Sequence, residues 1–159
     1  MTDRPEPHRF VTTHPTRVED LNLAVHLDNL AILRAVDEAR TALLGMASPL
    51  GGSVTEGVVG LPPPLMAFVA GHQVEYLREL AHRADEPLHL ALWVCRVGTS
   101  SFDLAAEVRQ SASEPVACVV RSSLVVVDAT TGRPAQLPED VRGALAAYLG
   151  EPPTFRGAG

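Results

Sequence analysis

Residues 28–45 read DNLAILRAVDEARTALLG, and this stretch decides the fold. Asp28 and Asn29 are both good N-caps, because their short side chains accept from the orphan N–H groups of a first helical turn. Leu30, Ile32, Leu33, Ala35, Val36, Ala39, Leu43 and Leu44 then cover most of a helix's circumference over 30–44. A helix apolar over that much of its surface is buried rather than laid on the outside. Gly45 supplies the residue that ends it. Among the polar positions, Arg34 and Glu38 stand four apart, the spacing of an ion pair along one face.

Outward from the helix the pattern changes. From residue 65 the apolar period is two, which predicts strands at about 66–78, 88–98, 102–111 and 115–128. Upstream, FVTTHPTRV at 10–18 is rich in β-formers, and Pro15 demotes it to an edge or bulged strand. EDVRGALAAYL at 139–149 reads as a short amphipathic helix. Residues 45–64, rich in glycine and proline, read as a long loop. Residues 1–9 and 150–159 are expected to be flexible termini around a single domain at 10–149. One buried helix with one antiparallel sheet is an α+β layer fold. A single helix fills only part of one face. The sheet therefore curves strongly around it, or a partner chain covers the remainder.

Composition narrows the function. The chain has 159 residues, 46% hydrophobic and 20% charged, a globular mixture. Its formal net charge is −6, so no basic face invites nucleic acid or an anionic membrane surface. All 13 basic residues are arginine. The absence of lysine excludes Schiff-base chemistry and a P-loop. The six histidines form no metal-binding spacing, and no Gly-x-Ser-x-Gly elbow is present. Cys95 and Cys118 sit in apolar runs and read as buried thiols. MTDRPEPHRF lacks an apolar leader core, and runs such as LALWVC at 90–95 are too short to span a bilayer. The expectation is a soluble, cytoplasmic protein.

Several short motifs, in order, resemble the hotdog-fold acyl-CoA thioesterases of the 4-hydroxybenzoyl-CoA thioesterase type. His26-Leu27-Asp28-Asn29, then Ile32-Leu33, then Asp37-Glu38-Ala39-Arg40 keep the family's register without a gap. Val74-Glu75-Tyr76-Leu77 looks like its second strand, and Arg96-Val97-Gly98-Thr99-Ser100-Ser101-Phe102 like its hairpin between the third and fourth strands. Asp128 to Pro134, followed by Leu137-Pro138-Glu139, looks like its last strand and C-terminal helix. The resemblance spans about residues 10–149. It implies a hotdog fold, a curved antiparallel sheet wrapped around one long central helix. It also implies hydrolysis of an acyl thioester to free acid and CoA, with CoA entering as part of the substrate and no separate cofactor. The partner molecule would be an acyl-CoA or acyl-carrier thioester, and the assembly a homodimer or tetramer with sites at the subunit interface. Two positions depart from the family: its catalytic aspartate aligns with Asn22, and its glycine with Val25.

The resemblance and the residues together mark a set of candidates. Backbone N–H groups from His26 through Leu27, Asp28, Asn29 and Leu30 would polarise the thioester carbonyl. Asn22 would position water or hydrogen-bond the thioester, or would simply cap its own turn, since an amide is no base. His26 is a candidate base or a packed histidine. Asp20 is the free carboxylate nearest the position of the family aspartate. Glu38 is a further candidate carboxylate, with the Arg34 pair as its plain structural role. Tyr76 and the hairpin Gly98, Thr99, Ser100 and Ser101 would line the substrate path, and the apolar loop 54–66 would wall the acyl tail. Two other readings stay open. One is a hotdog protein that binds an acyl thioester or a protein partner without catalysis. The other is a dehydratase or hydratase, which pairs an aspartate with a histidine five residues on, whereas Asp20 and His26 are six apart.

Overall fold

The computed structural model describes residues 8–47, 50 and 53–156. The elements run β1 (Phe10–His14), a 3-10 turn (Val18–Asp20), α1 (Asn29–Leu44), β2 (Met46–Ala47), β3 (Ser53–Thr55), β4 (Leu65–Tyr76), β5 (Leu88–Val97), β6 (Ser101–Arg109), β7 (Val116–Asp128) and α2 (Glu139–Ala146). β1, β5, β6, β7 and β4 form one antiparallel sheet in that spatial order. The α+β arrangement expected from the sequence is the one observed: a sheet on one side of a single long helix.

The helix starts and stops where its caps are. Asp28 accepts from the Ala31 N–H at 2.9 Å, and Gly45 follows Leu44 with φ +73. Ile32, Ala35, Val36, Ala39, Leu43 and Leu44 are buried. They meet the inward residues Leu88, Leu90, Leu92 and Val94 of β5, Phe102, Leu104, Ala106 and Val108 of β6, and Val120, Leu124 and Val126 of β7. α1 packs against β1, β5 and β6. At the β4 edge the inward-facing His72 and Tyr76 stay exposed, so part of this face is uncovered.

Three sequence expectations need correction. The first strand ends at His14 rather than Val18, because Pro15 has no N–H for the ladder. The stretch 45–64 is not a plain loop. β2 and β3 pair as a two-stranded ribbon, and the chain beyond them returns to the end of α1. There the N–H groups of Val58, Val59 and Leu61 donate to the carbonyls of Ala42, Leu43 and Leu44, which a helix terminus leaves open. Gly57 permits this approach, since a Cβ there would lie 2.1 Å from the Gly45 nitrogen.

The third correction concerns the tail. Residues 1–7 and 157–159 lie outside the described residues, but 150–156 are anchored to the sheet at several points. Gly150 N–H donates to the Val94 carbonyl beside β1, and the Trp93 Nε1 donates to the Glu151 carbonyl. Phe155 is 8% exposed, and the Arg156 N–H reaches Glu75 on β4 at 2.8 Å. Trp93 and Glu75 point away from the helix, so the tail straps the outer face from β5 to β4. Three strand spacings need about 14 Å, within the roughly 20 Å that six extended residues reach.

Candidate active site

The loop from Leu21 to Asp28 folds back against the strand-to-turn exit of β4. Asn22 N–H donates to the His26 carbonyl at 2.8 Å, and Leu27 N–H to the Leu80 carbonyl at 2.8 Å. The Asn22 Oδ1 accepts from the N–H groups of Ala24 at 2.9 Å and His26 at 3.1 Å. The tight turn holds Val25 at φ +64, the left-handed region that favours glycine.

This turn and the first residues of α1 border a pocket of about 410 Å³, lined by Asn22, His26, Asn29, Ile32, Tyr76 and Glu79 among others. The His26 Nε2 lies 3.0 Å from Glu79 Oε2. In the neutral ring, a proton on Nε2 would donate to this carboxylate and leave Nδ1 as the acceptor. The N–H groups of Asn29 and Leu30 lie at the first two helical positions, which have no intrahelical acceptor. They carry the positive end of a 16-residue helix at the pocket's edge. Burial pushes the Tyr76 phenol up, aided by the Cys118 thiol and the Asp28 carboxylate, so it stays neutral.

The structure therefore brings Asn22, His26, Asn29 and Tyr76 together, and Leu27 borders the same pocket with its side chain in the core. Asp28 serves as the helix cap. Other candidates lie elsewhere. The Asp20 carboxylate accepts from the Arg17 N–H at 2.8 Å and closes its own turn. Glu38 faces a different pocket, where its Oε2 lies 3.1 Å from His14 Nδ1. The expected Arg34–Glu38 pair does not form, because β1 offers His14 to the same carboxylate. Leu30 is 71% exposed and points out of the pocket. The hairpin Gly98–Ser101 sits at the far end of α1, where the Leu137 N–H and the Arg142 guanidinium reach the Thr99 carbonyl. Within one chain it does not meet His26. The loop 54–66 likewise serves the C-terminal end of α1. Glu79 escaped the sequence reading, because its partner lies 53 positions away and no local spacing connects them.

Cys118 is buried as expected, and burial pushes it up to about 12, whereas Cys95, also expected to be buried, is only half-buried.

A family model described as the thioesterase-like superfamily matches residues 16–145. The chain belongs to this superfamily. Among solved structures, a predicted thioesterase from Bacillus stearothermophilus superposes with a TM-score of 0.73 at 20% identity, covering 92% of this chain and 100% of that one. A thioesterase complexed with coenzyme A and Zn from Thermus thermophilus gives 0.64 at 22% identity, with 89% and 95% covered. A 1,4-dihydroxy-2-naphthoyl-CoA thioesterase from Synechocystis gives 0.65 at 16% identity, with 87% and 96% covered. No curated protein matches. The hotdog thioesterase resemblance read from the motifs between His26 and Glu139 is thus that of the superfamily to which the chain belongs.

Proposed function

We propose that this thioesterase-like protein hydrolyses acyl-CoA thioesters at the N-terminus of α1, with His26 as general base. The observation that carries the proposal is the His26–Glu79 pair, at 3.0 Å, on the same pocket as the first residues of the helix. The thioester oxygen would take the N–H groups of Asn29 and Leu30, whose donors need no particular side chain. His26 Nδ1 would take a proton from water as the hydroxide adds to the carbonyl carbon. The C–S bond then breaks, and the proton passes to the departing thiolate, giving acid and CoA. Glu79 holds the ring's tautomer and stabilises the imidazolium. Asn22 acts on the turn rather than on the proton, because its oxygen is committed to two backbone donors.

The assembly belongs to the same proposal. β4 is a 12-residue edge strand, and part of its inward face, at His72 and Tyr76, is uncovered. An open edge of that length pairs readily with another chain. Edge-to-edge dimerisation would cover that face and could bring the partner's Gly98–Ser101 hairpin toward this pocket.

The experiment is thiol release from a panel of aliphatic and aromatic acyl-CoAs. The expected result is turnover by the wild type, with His26→Gln lowering kcat by about 10²-fold or more and Glu79→Gln by less. A wild type that is silent across the panel while Asn22→Asp turns over would instead support the binding-protein reading. Unchanged kcat in His26→Gln would remove histidine from the mechanism.

A further inference from the structure

We propose that the outer face of the sheet carries a second ligand site, for a compact oxyanion of the phosphate or pyrophosphate type. It lies on the opposite side of the sheet from α1 and does not depend on the thioesterase reading. The cross-strand register places Arg96, Asp103, Ser123 and Gly71 in one row over β5, β6, β7 and β4. The next row holds Ala105, Arg121 and Gln73. Asp103 is 2% exposed, and its carboxylate is gripped from two sides. Arg96 gives it Nε at 3.1 Å and Nη2 at 2.9 Å. Arg121 gives it Nε at 3.2 Å and Nη2 at 2.6 Å.

Two guanidinium groups on one carboxylate leave a net positive charge. The Nη1 of Arg121 has no hydrogen-bond partner among the described residues. The carboxylates nearby on this face are already taken, Glu107 by Arg9 and Arg109, and Glu75 by Arg156. Beside Arg121 lies an open basin of about 350 Å³, bordered by Gly71, Gln73 and Ser123. A Cβ on Gly71 would meet nothing within 4 Å, so the basin has room over that backbone. Bulges in β4 between Val69 and Gly71 and in β5 between Val94 and Arg96 interrupt both flanking strands at this row. Bulges of this kind re-aim side chains beside functional sites.

In this site Arg121 supplies the charge, Ser123 and Gln73 supply neutral hydrogen bonds, and Arg96 is a positioning residue that fixes Arg121 through Asp103. A pre-oriented guanidinium fork suits a tetrahedral oxyanion. The chain's net charge of −6 repels anions in general, so saturable binding would have to come from this local cluster.

The test is calorimetric titration of the full chain with inorganic pyrophosphate. The comparison is with Gly71→Glu, which fills the basin with a negative group and leaves the Asp103 cluster intact, and with Arg121→Gln. The wild type is expected to bind saturably. Gly71→Glu is expected to bind at least 10-fold more weakly with an unchanged melting temperature. No saturable binding by the wild type, or equal binding by Gly71→Glu, overturns the site. A second arm distinguishes the sources of the phosphate. If it belongs to CoA, Gly71→Glu raises KM for an acyl-CoA and leaves KM for the matching acyl-pantetheine unchanged. If it is a free phosphate, both KM values stay as in the wild type while pyrophosphate binding is lost.

Discussion

Val25 pays a conformational cost that its neighbours enforce. The bonds from Asn22 to Ala24 and His26 close the turn, and φ at Val25 is +64 as a result. For a β-branched residue this region costs about 1–2 kcal/mol. Val25→Gly removes that strain and gives back part of it in chain entropy. The expected outcome is a rise in melting temperature of a few degrees, corresponding to about 1 kcal/mol, read by thermal unfolding. Asn22 was marked in the sequence by its alignment with a family aspartate. Its two backbone acceptor bonds became visible only once the turn was folded. His26 was a candidate from its type alone. Glu79, on a segment 53 residues away, is the group that meets its Nε2 at 3.0 Å.

At the scale of the element, α1 was legible almost to the residue, because its caps are local. Asp28→Ala removes the acceptor for the Ala31 N–H and is expected to cost about 1 kcal/mol, measured by chemical denaturation. The strands were legible as a period of two, but not which carboxylate they bury. Burial raises Asp103, but its bonds to Arg96 and Arg121 outweigh that, and its carboxyl ends below the usual aspartate range. A depressed native value stabilises the fold above the unfolded aspartate range and loses that contribution as pH falls through the native value. Between about pH 4 and more acid conditions, the wild type should lose stability faster than Asp103→Asn. Denaturant midpoints taken down a pH series check this. Equal slopes for the two proteins would remove Asp103 from the acid response.

The whole molecule holds one element that the local pattern hid. EPPTFR at 151–156 has neither helical nor strand period, and such a composition ordinarily marks a loose end. It is held by contacts distant in sequence: Trp93 through Glu151, and Glu75 through Arg156. Deleting residues 151–159 uncovers Trp93 and the site of Phe155. Loss of the Phe155 burial alone is worth about 1.5–3 kcal/mol. The expected result is a lower melting temperature and a red shift of the single tryptophan's emission. A truncated chain with both properties unchanged would mean that the strap is dispensable.

What the sequence determined by itself was whatever rests on near neighbours. The helix and its caps follow from residues within one turn, the four long strands from alternation, and the family from motifs kept in order. The exclusion of lysine chemistry follows from composition alone. The tertiary structure decided the rest. It separated Glu38 and the Gly98–Ser101 hairpin from His26, joined His26 to Glu79, turned Asp20 back onto its own loop, and set two arginines on Asp103. Each of these depends on strand register and on how the chain folds over the sheet, where groups far apart in sequence meet and compete for the same partners.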